Sequence, residues 1–116
     1  MIIDFNEIYG IDVANMNGGK GKVNAKMEVN EIGRFVECII PPKASIGNHP
    51  QESNHDINYI ISGEGISVCD GVEEILKPGV CHVCPKGFSH SIINTGDEDL
   101  VFFTIVPNRT LTMAIC

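Results

Sequence analysis

Short apolar runs separated by turn-forming residues recur along most of this chain. No stretch of a dozen residues shows the 3.6-residue period of an amphipathic helix, whereas short apolar runs between turn signals are typical of strands. We predict strands at 23–29, 34–40, 57–62, 66–69, 72–76, 80–84, 90–94 and 100–106. The pattern therefore indicates an all-β sandwich or a small barrel.

Turn signals divide these strands and mark the less regular parts of the chain. Asp70-Gly71 is a strong signal for a short hairpin, and Pro41-Pro42 ends the second strand because proline has no backbone N–H to donate. Residues 1–16 form a mixed segment, residues 17–21 are expected to form a loop, and a polar loop follows Pro42. Since no repeat or linker interrupts the chain, we expect one domain spanning residues 1–116.

The charge balance excludes some classes of partner. Fifteen acidic and eight basic side chains give a formal charge of −7, which repels phosphate backbones and anionic lipid. We therefore expect neither nucleic acid nor a membrane as a partner. Asp4 and Glu7 stand where a secretory signal would carry basic residues, and no apolar run approaches the ~20 residues of a membrane span. These features predict a cytoplasmic protein.

The cysteines favour a reducing compartment. The chain has five, an odd number: Cys38, Cys69, Cys81, Cys84 and Cys116. All but the last lie in apolar strand-like segments, which fits reduced core thiols better than a disulfide framework. Cys81 and Cys84 have the spacing of a redox or zinc pair, but neither a helix N-terminus nor a second pair accompanies them. We interpret both as buried core cysteines.

Polar side chains with ligand chemistry fall at positions that can share a face. Side chains two residues apart point to the same side of a strand. Three such groups are His49 with Gln51, Asp56 with Asn58 and Ile60, and His90 with Ile92 and Asn94. If these faces point into a barrel, His49, Asp56 and His90 converge with two nitrogens and one carboxylate oxygen. Gln51 lies within reach as a fourth metal ligand, or alternatively as a hydrogen-bonding group for the substrate.

Two spacings carry a resemblance to a known family. They are Gly79-x5-Pro85-x-Gly87-x2-His90-x3-Asn94 and, upstream, His49-x-Gln51-x4-Asp56-x6-Gly63. The chain resembles the cupin superfamily, whose motifs are G-x5-H-x-H-x3,4-E-x6-G and G-x5-P-x-G-x2-H-x3-N. The second motif is complete, and the resemblance covers roughly residues 34–107. It implies an antiparallel double-stranded β-helix, the jelly-roll barrel of the cupins.

The first motif departs from the family pattern at three positions. Lys43 stands where the family has its opening glycine, which relaxes the demand on that loop. Gln51 replaces a histidine, and a carboxamide is a weaker donor than imidazole for Fe, Ni, Cu or Zn. Asp56 replaces glutamate and shortens the reach by one methylene, ~1.5 Å. His55 is an alternative ligand if a bulge turns it inward, but the spacing to Gly63 favours Asp56.

The resemblance implies a site rather than a single activity. Such a site coordinates a divalent transition metal (Fe, Mn, Ni or Zn), here weakly bound, and leaves positions open for a small-molecule ligand, O2 or water. One hypothesis is a metal-dependent isomerase, decarboxylase or dioxygenase acting on a small sugar-like or carboxylate-like metabolite. The other is a non-catalytic binding module for such a ligand, with a weak or vacant metal site. Short cupins usually form homodimers, often by exchange of N-terminal strands, here within residues 1–30.

The remaining assignments concern the walls of the barrel. We predict that four residues contact the substrate: Asn58, Ile60, Ile92 and Phe103. His82 belongs to neither motif, and we interpret it as structural. Asn94 precedes Thr95-Gly96 and is interpreted as a turn-forming residue rather than a ligand.

Overall fold

The computed structural model of this protein describes residues 1–108, which form ten β-strands. They are β1 (Ile11–Ala14), β2 (Lys22–Val29), β3 (Gly33–Ile40), β4 (Ser45–Pro50), β5 (Asp56–Ser62), β6 (Gly65–Cys69), β7 (Val72–Leu76), β8 (Cys81–Cys84), β9 (Ser89–Asn94) and β10 (Leu100–Pro107). Short 3-10 helices at Phe5–Glu7 and Met16–Gly18 precede β1 and β2. Within the described residues, no helix has the length and apolar character needed to cross a bilayer. Cys116 lies outside the described residues.

The strands form two antiparallel sheets. One has six strands in the order β1-β2-β3-β10-β5-β8, and the other has four in the order β4-β9-β6-β7. The late strands β10 and β9 insert between earlier ones, so each sheet pairs segments that are distant in sequence. This arrangement confirms the predicted all-β jelly-roll fold.

The core fills the space between the two sheets. Burial alternates strictly along β6, β9 and most of β10, so one face of each strand points inward. The fully or almost fully buried apolar side chains come from both sheets: Val23, Ile40, Ile60, Leu76, Ile92, Leu100 and Phe102. Burying each large side chain contributes roughly 1.5–3 kcal/mol, so these contacts hold the inner faces in a fixed register.

All eight predicted strands are present within one or two residues of their expected limits. Two strands were not predicted. β1 lies in the segment interpreted as mixed, and β4 lies where a polar loop was expected after Pro42. β4 contains Gly47, Asn48 and Pro50, which are rare in strands, and it forms because β9 supplies its hydrogen-bonding partner.

The turn after β3 keeps the backbone conformation that a glycine would favour. Ala44 N–H donates to the carbonyl of Pro41 at 3.1 Å, and Lys43 has a φ of +69°. Proline at the second turn position and a positive φ at the third are the features of a type II turn. The expectation that Lys43 relaxes the demand on this loop is therefore wrong, because the lysine adopts the strained left-handed conformation.

The two cysteines of β8 have different environments. Cys84 is fully buried, whereas Cys81 is exposed, so the prediction of two core cysteines is wrong for Cys81. Residues three apart in a strand point to opposite faces, and the outer face of β8 is exposed among residues 1–108. Burial raises the pKa of Cys84 to about 12, with a smaller contribution from the neighbouring Cys69.

Candidate metal centre

Three side chains converge between the sheets with the chemistry of a metal site. His49, Asp56 and His90 each offer a ligand atom, and these atoms all lie within 4.8 Å of one another. His90 is fully buried, Asp56 is 7% exposed and His49 is partly exposed. The cluster therefore lies at the inner end of a solvent-accessible opening.

A β-bulge brings His49 to the inner face. Ile46 pairs with Ile92 and His49 pairs with His90, so β4 has one more residue than β9 between these two pairs. In a regular strand His49, three residues after Ile46, would point to the opposite face, and the bulge returns it to the face of Ile46. The ring then donates a hydrogen bond from Nδ1 to the carbonyl of Gly47 at 2.8 Å. The lone pair of Nε2 is therefore free to bind a metal.

Glycine is required in this bulge because another segment of backbone passes very close. A Cβ at Gly47 would lie 2.1 Å from the carbonyl oxygen of Asn17. The backbone around Asn17 is part of the 3-10 helix that packs on β4. Gly47 thus allows the backbone of Asn17 to pack closely against the strand that carries His49.

Asp56 and His90 form the buried side of the cluster. Asp56 is the first residue of β5, and its Oδ2 lies 2.9 Å from Nε2 of His90. The rings of His49 and His90 are tilted by 59° with their centroids 4.7 Å apart. The two histidines and the carboxylate therefore meet at one place, as the sequence predicted.

Gln51 lies beside the cluster, at the end of β4. Its Nε2 is 3.4 Å from Nε2 of His90, and its backbone is held by hydrogen bonds with Phe88 and Gly87 at 2.8 and 2.7 Å. A half-turn of the carboxamide exchanges its oxygen and nitrogen, so Gln51 can present either atom to this space. A fourth ligand at Gln51 is compatible with this position.

His55 takes no part in the cluster. Its Nδ1 accepts a hydrogen bond from the backbone N–H of Lys86 at 2.9 Å, which ties the start of β5 to the turn between β8 and β9. Of the two residues considered at this position, the structure brings Asp56 to the cluster and uses His55 to hold a turn. Asn94 likewise holds backbone: its Nδ2 donates to the carbonyls of Ile40 and Glu98, each at 2.8 Å.

His82 is closer to the site than the sequence suggested. Its Nε2 lies 2.8 Å from Nδ1 of His90 and 3.1 Å from Oγ of Ser67. Burial lowers the pKa of His82 and the proximity of His90 lowers it further, while Glu74 acts in the opposite direction. Side-chain alternation along β8 could have placed His82 on the same inner face as Cys84. Its contact with His90 joins the two sheets, and no pattern in the sequence near His82 predicts that contact.

A cavity of about 540 Å³ opens from the cluster towards the surface. Asn58 and Ile92 line it as predicted, whereas Ile60 is buried in the core and is not part of its lining. Phe103 does not line it either: it lies on the outer face of β10, where its ring packs edge-on against Phe5. The aromatic side chain that lines the cavity from β10 is the neighbouring Phe102.

The donor set fits a divalent transition metal. Imidazole nitrogen with carboxylate oxygen suits Fe, Mn, Ni or Zn, and the contact of His49 Nδ1 with a backbone carbonyl leaves its Nε2 available. Cys38 also lines the cavity, but burial and, to a smaller extent, the charge of Asp56 raise its pKa to about 12. Cys38 is not one of the three side chains whose ligand atoms converge.

The fold and the site are those of a cupin. Sequence comparison agrees, because residues 36–106 match the model of the cupin domain. The chain therefore belongs to the cupin family. It is 34% identical over 112 residues to the oxalate-binding protein of Thermotoga maritima, covering 91% of this chain and 93% of that protein. A crystal structure of a predicted oxalate decarboxylase, also from Thermotoga maritima, superposes with a TM-score of 0.86 at 33% identity, covering 92% of this chain and 98% of that one. KdgF from a Halomonas species shares the fold alone, with a TM-score of 0.73 at 21% identity and 90% coverage of each chain.

Proposed function

We propose that this cupin binds a small carboxylate of the oxalate type through a divalent metal held by His49, Asp56 and His90, with Gln51 as a fourth ligand. The two imidazoles are neutral ligands and Asp56 supplies one negative charge, so a bound divalent ion keeps a net positive charge. When bound, the metal would act as a Lewis acid that attracts and polarises carboxylate oxygens. The homologous oxalate-binding protein of Thermotoga maritima supports this choice of ligand.

The observation that carries the proposal is an unsatisfied amide in the cavity wall. Asn58 is 1% exposed, and its Oδ1 accepts a hydrogen bond from Thr104 at 2.6 Å. Its Nδ2 has no hydrogen-bond partner among residues 1–108. A buried donor without a partner costs about 1–3 kcal/mol, so an anionic oxygen in the cavity would remove a penalty that the protein otherwise carries.

Among residues 1–108, the cavity opening carries one cation, Arg34, alongside the exposed carboxylate of Glu52. Arg34 lines the cavity and is exposed, and it is the only lysine or arginine in the part of the lining that the structure describes. A guanidinium forms paired hydrogen bonds with a carboxylate and raises the local concentration of anions in a protein of net charge −7. Arg34 therefore assists the entry of a carboxylate to the metal.

Calorimetric titration of oxalate into metal-loaded and metal-free protein tests the proposal. We expect binding to the loaded protein only, and about 10-fold weaker binding to Asn58→Leu, which keeps the volume and removes the donor. Acetate is the control for a ligand with one carboxylate. Equal oxalate binding with and without metal would contradict the proposal.

The same sample separates a binding module from an enzyme. Oxalate that is recovered unchanged after long incubation with the metal-loaded protein identifies a binding module. Metal-dependent loss of oxalate identifies an enzyme, of which a decarboxylase is the form that the related structure from Thermotoga maritima suggests. We favour binding, because Gln51 in place of an imidazole predicts a weakly held metal.

We also propose that the protein is a homodimer that pairs the outer faces of its six-stranded sheets; exchange of N-terminal strands within residues 1–30 stays a prediction. The exposed residues Tyr59, Ile61, Cys81 and Val83 form an uncharged patch on β5 and β8, and Phe103 adjoins it. A two-fold axis brings such a patch against its own copy. Light scattering should give twice the chain mass, and Val83→Lys should reduce it to the monomer. A monomeric native protein would contradict this proposal.

A further inference from the structure

A chain of polar side chains leads from the metal centre to the surface on the side of His90 that faces away from Asp56. Nδ1 of His90 lies 2.8 Å from Nε2 of His82, and Nδ1 of His82 lies 3.0 Å from Oε1 of Glu74. The His82 side chain is 1% exposed and that of Glu74 is 47% exposed. The chain therefore connects a buried metal ligand to a carboxylate that water can reach.

This chain has more contacts than protons when both rings are neutral, as they must be to bind a metal. Three contacts each need one proton: Asp56 with His90, His90 with His82, and His82 with Glu74. Two neutral imidazoles carry only two protons between them. In every arrangement of two protons, one contact brings two acceptors together at 3.0 Å or less. In the structure Nδ1 of His82 and Oε1 of Glu74 are 3.0 Å apart without being aligned as a hydrogen bond.

A cation at the cluster removes the conflict. Asp56 and His90 would both hold the cation through the atoms that otherwise share a proton, so their contact would no longer need one. The two remaining protons would lie on Nδ1 of His90, facing Nε2 of His82, and on Nδ1 of His82, 3.0 Å from Oε1 of Glu74. No contact would then bring two acceptors together while both rings stay neutral, which is the form in which imidazole binds a metal.

We infer that His82 and Glu74 are positioning residues, which hold His90 in the orientation and tautomer that present Nε2 to a cation. The inference rests on the metal site proposed above and adds two residues that do not touch the metal. It extends the usual carboxylate–histidine–metal arrangement by one ring. The negative charge of Glu74 favours a proton on the adjacent Nδ1 of His82, and the same preference passes through His82 to His90.

The neighbouring glutamate on the same strand provides a matched control. Glu74 pairs with Ser67, which faces the core, whereas Glu73 pairs with Val68 and points to the opposite side of β7. Both glutamates are exposed enough for substitution by glutamine to leave the core intact. Glu74→Gln and Glu73→Gln therefore remove the same charge from the same strand, and only Glu74→Gln removes the charge beside His82.

Competition titration with Zn²⁺ measures the effect on affinity. We expect Glu74→Gln to weaken zinc binding about 10-fold, the lower end of the effect of outer partners of metal ligands, because Glu74 is half exposed. Glu73→Gln should change the affinity less than about 2-fold, since an exposed charge acts weakly at a distance. Equal losses in the two variants would overturn the inference while leaving the metal site in place.

Nitrogen-15 NMR of the histidine rings reads the tautomers directly in the same zinc-loaded protein. We expect protons on Nδ1 of both His90 and His82. A proton on Nε2 of His82 in the loaded protein would overturn the inference, whatever the affinities show. If the native protein takes up no zinc, the proposed function fails together with this inference, and that outcome is distinct from a metal site that is indifferent to Glu74.

Discussion

The two strands that supply the histidines, β9 and β4, lie side by side in one sheet but reach the metal centre in different ways. β9 alternates regularly between buried and partly buried residues, and His90 follows from that alternation. β4 needs a bulge to turn His49 inward, and the bulge needs a glycine against the backbone of Asn17. The position of His90 therefore depends on regular strand pairing alone, whereas the position of His49 also requires a glycine at residue 47.

A substitution in the bulge of β4 is expected to have the largest effect on stability and metal affinity. Gly47→Ala places a Cβ 2.1 Å from the carbonyl of Asn17, so either β4 or the 3-10 helix must move. We expect a loss of about 2 kcal/mol in the free energy of unfolding, typical of overpacking, and a loss of metal affinity as His49 shifts. Chemical denaturation and metal titration measure the two effects.

Gly96→Ala is the matched control on the β9 side. A Cβ there would meet its nearest neighbours at 3.7 Å, an ordinary contact. Its stability and metal affinity should remain close to those of the native protein. Equal losses in the two variants would show that the bulge has no special demand for glycine.

A smaller effect on metal affinity is expected at Gln51, where an imidazole would be a stronger ligand than the native carboxamide. Gln51→His should raise metal affinity about 10-fold, because imidazole binds Fe, Ni and Zn more strongly than a carboxamide does. Gln51→Ala is its control and shows how much the native carboxamide contributes. An affinity that is unchanged in Gln51→His would mean that position 51 does not reach the metal.

The smallest effect is expected at the turn that leads into β4. Lys43 holds a φ of +69°, and the left-handed conformation costs a non-glycine residue about 1–2 kcal/mol. Lys43→Gly should stabilise the fold by about 0.5–1 kcal/mol, since part of the gain is lost to the greater freedom of the unfolded chain. Lys43→Ala keeps the strained backbone and should leave the thermal midpoint unchanged; a midpoint raised equally in both variants would assign the effect to the lysine charge.

The sequence was sufficient for the fold and for three members of the site because their signals are local. Alternation and motif spacing place His90 and Asp56 on inner faces, and the same motif spacing identifies His49 although β4 itself was not predicted. Local signals could not decide between Phe102 and Phe103, since both are aromatic and the pairing of β10 with β5 shifts register between Val101 and Phe102.

The parts of the site that the sequence did not predict depend on contacts between distant strands. His82 lies on β8 in the six-stranded sheet, and its partners His90 and Ser67 lie in the other sheet. The unsatisfied amide of Asn58 is likewise visible only once Thr104 is seen to occupy its oxygen. A single sequence predicts which residues face inward but not which inward-facing residues meet.

The central claim is that one divalent metal binds where His49, Asp56 and His90 meet. Its most direct test is the metal content, by elemental analysis after reconstitution and desalting, of the native protein, His90→Ala and the control His55→Ala. We predict about one equivalent of metal in the native protein and in His55→Ala, and less than ~0.2 equivalents in His90→Ala. Metal content that is the same with and without the imidazole of His90 would contradict the account.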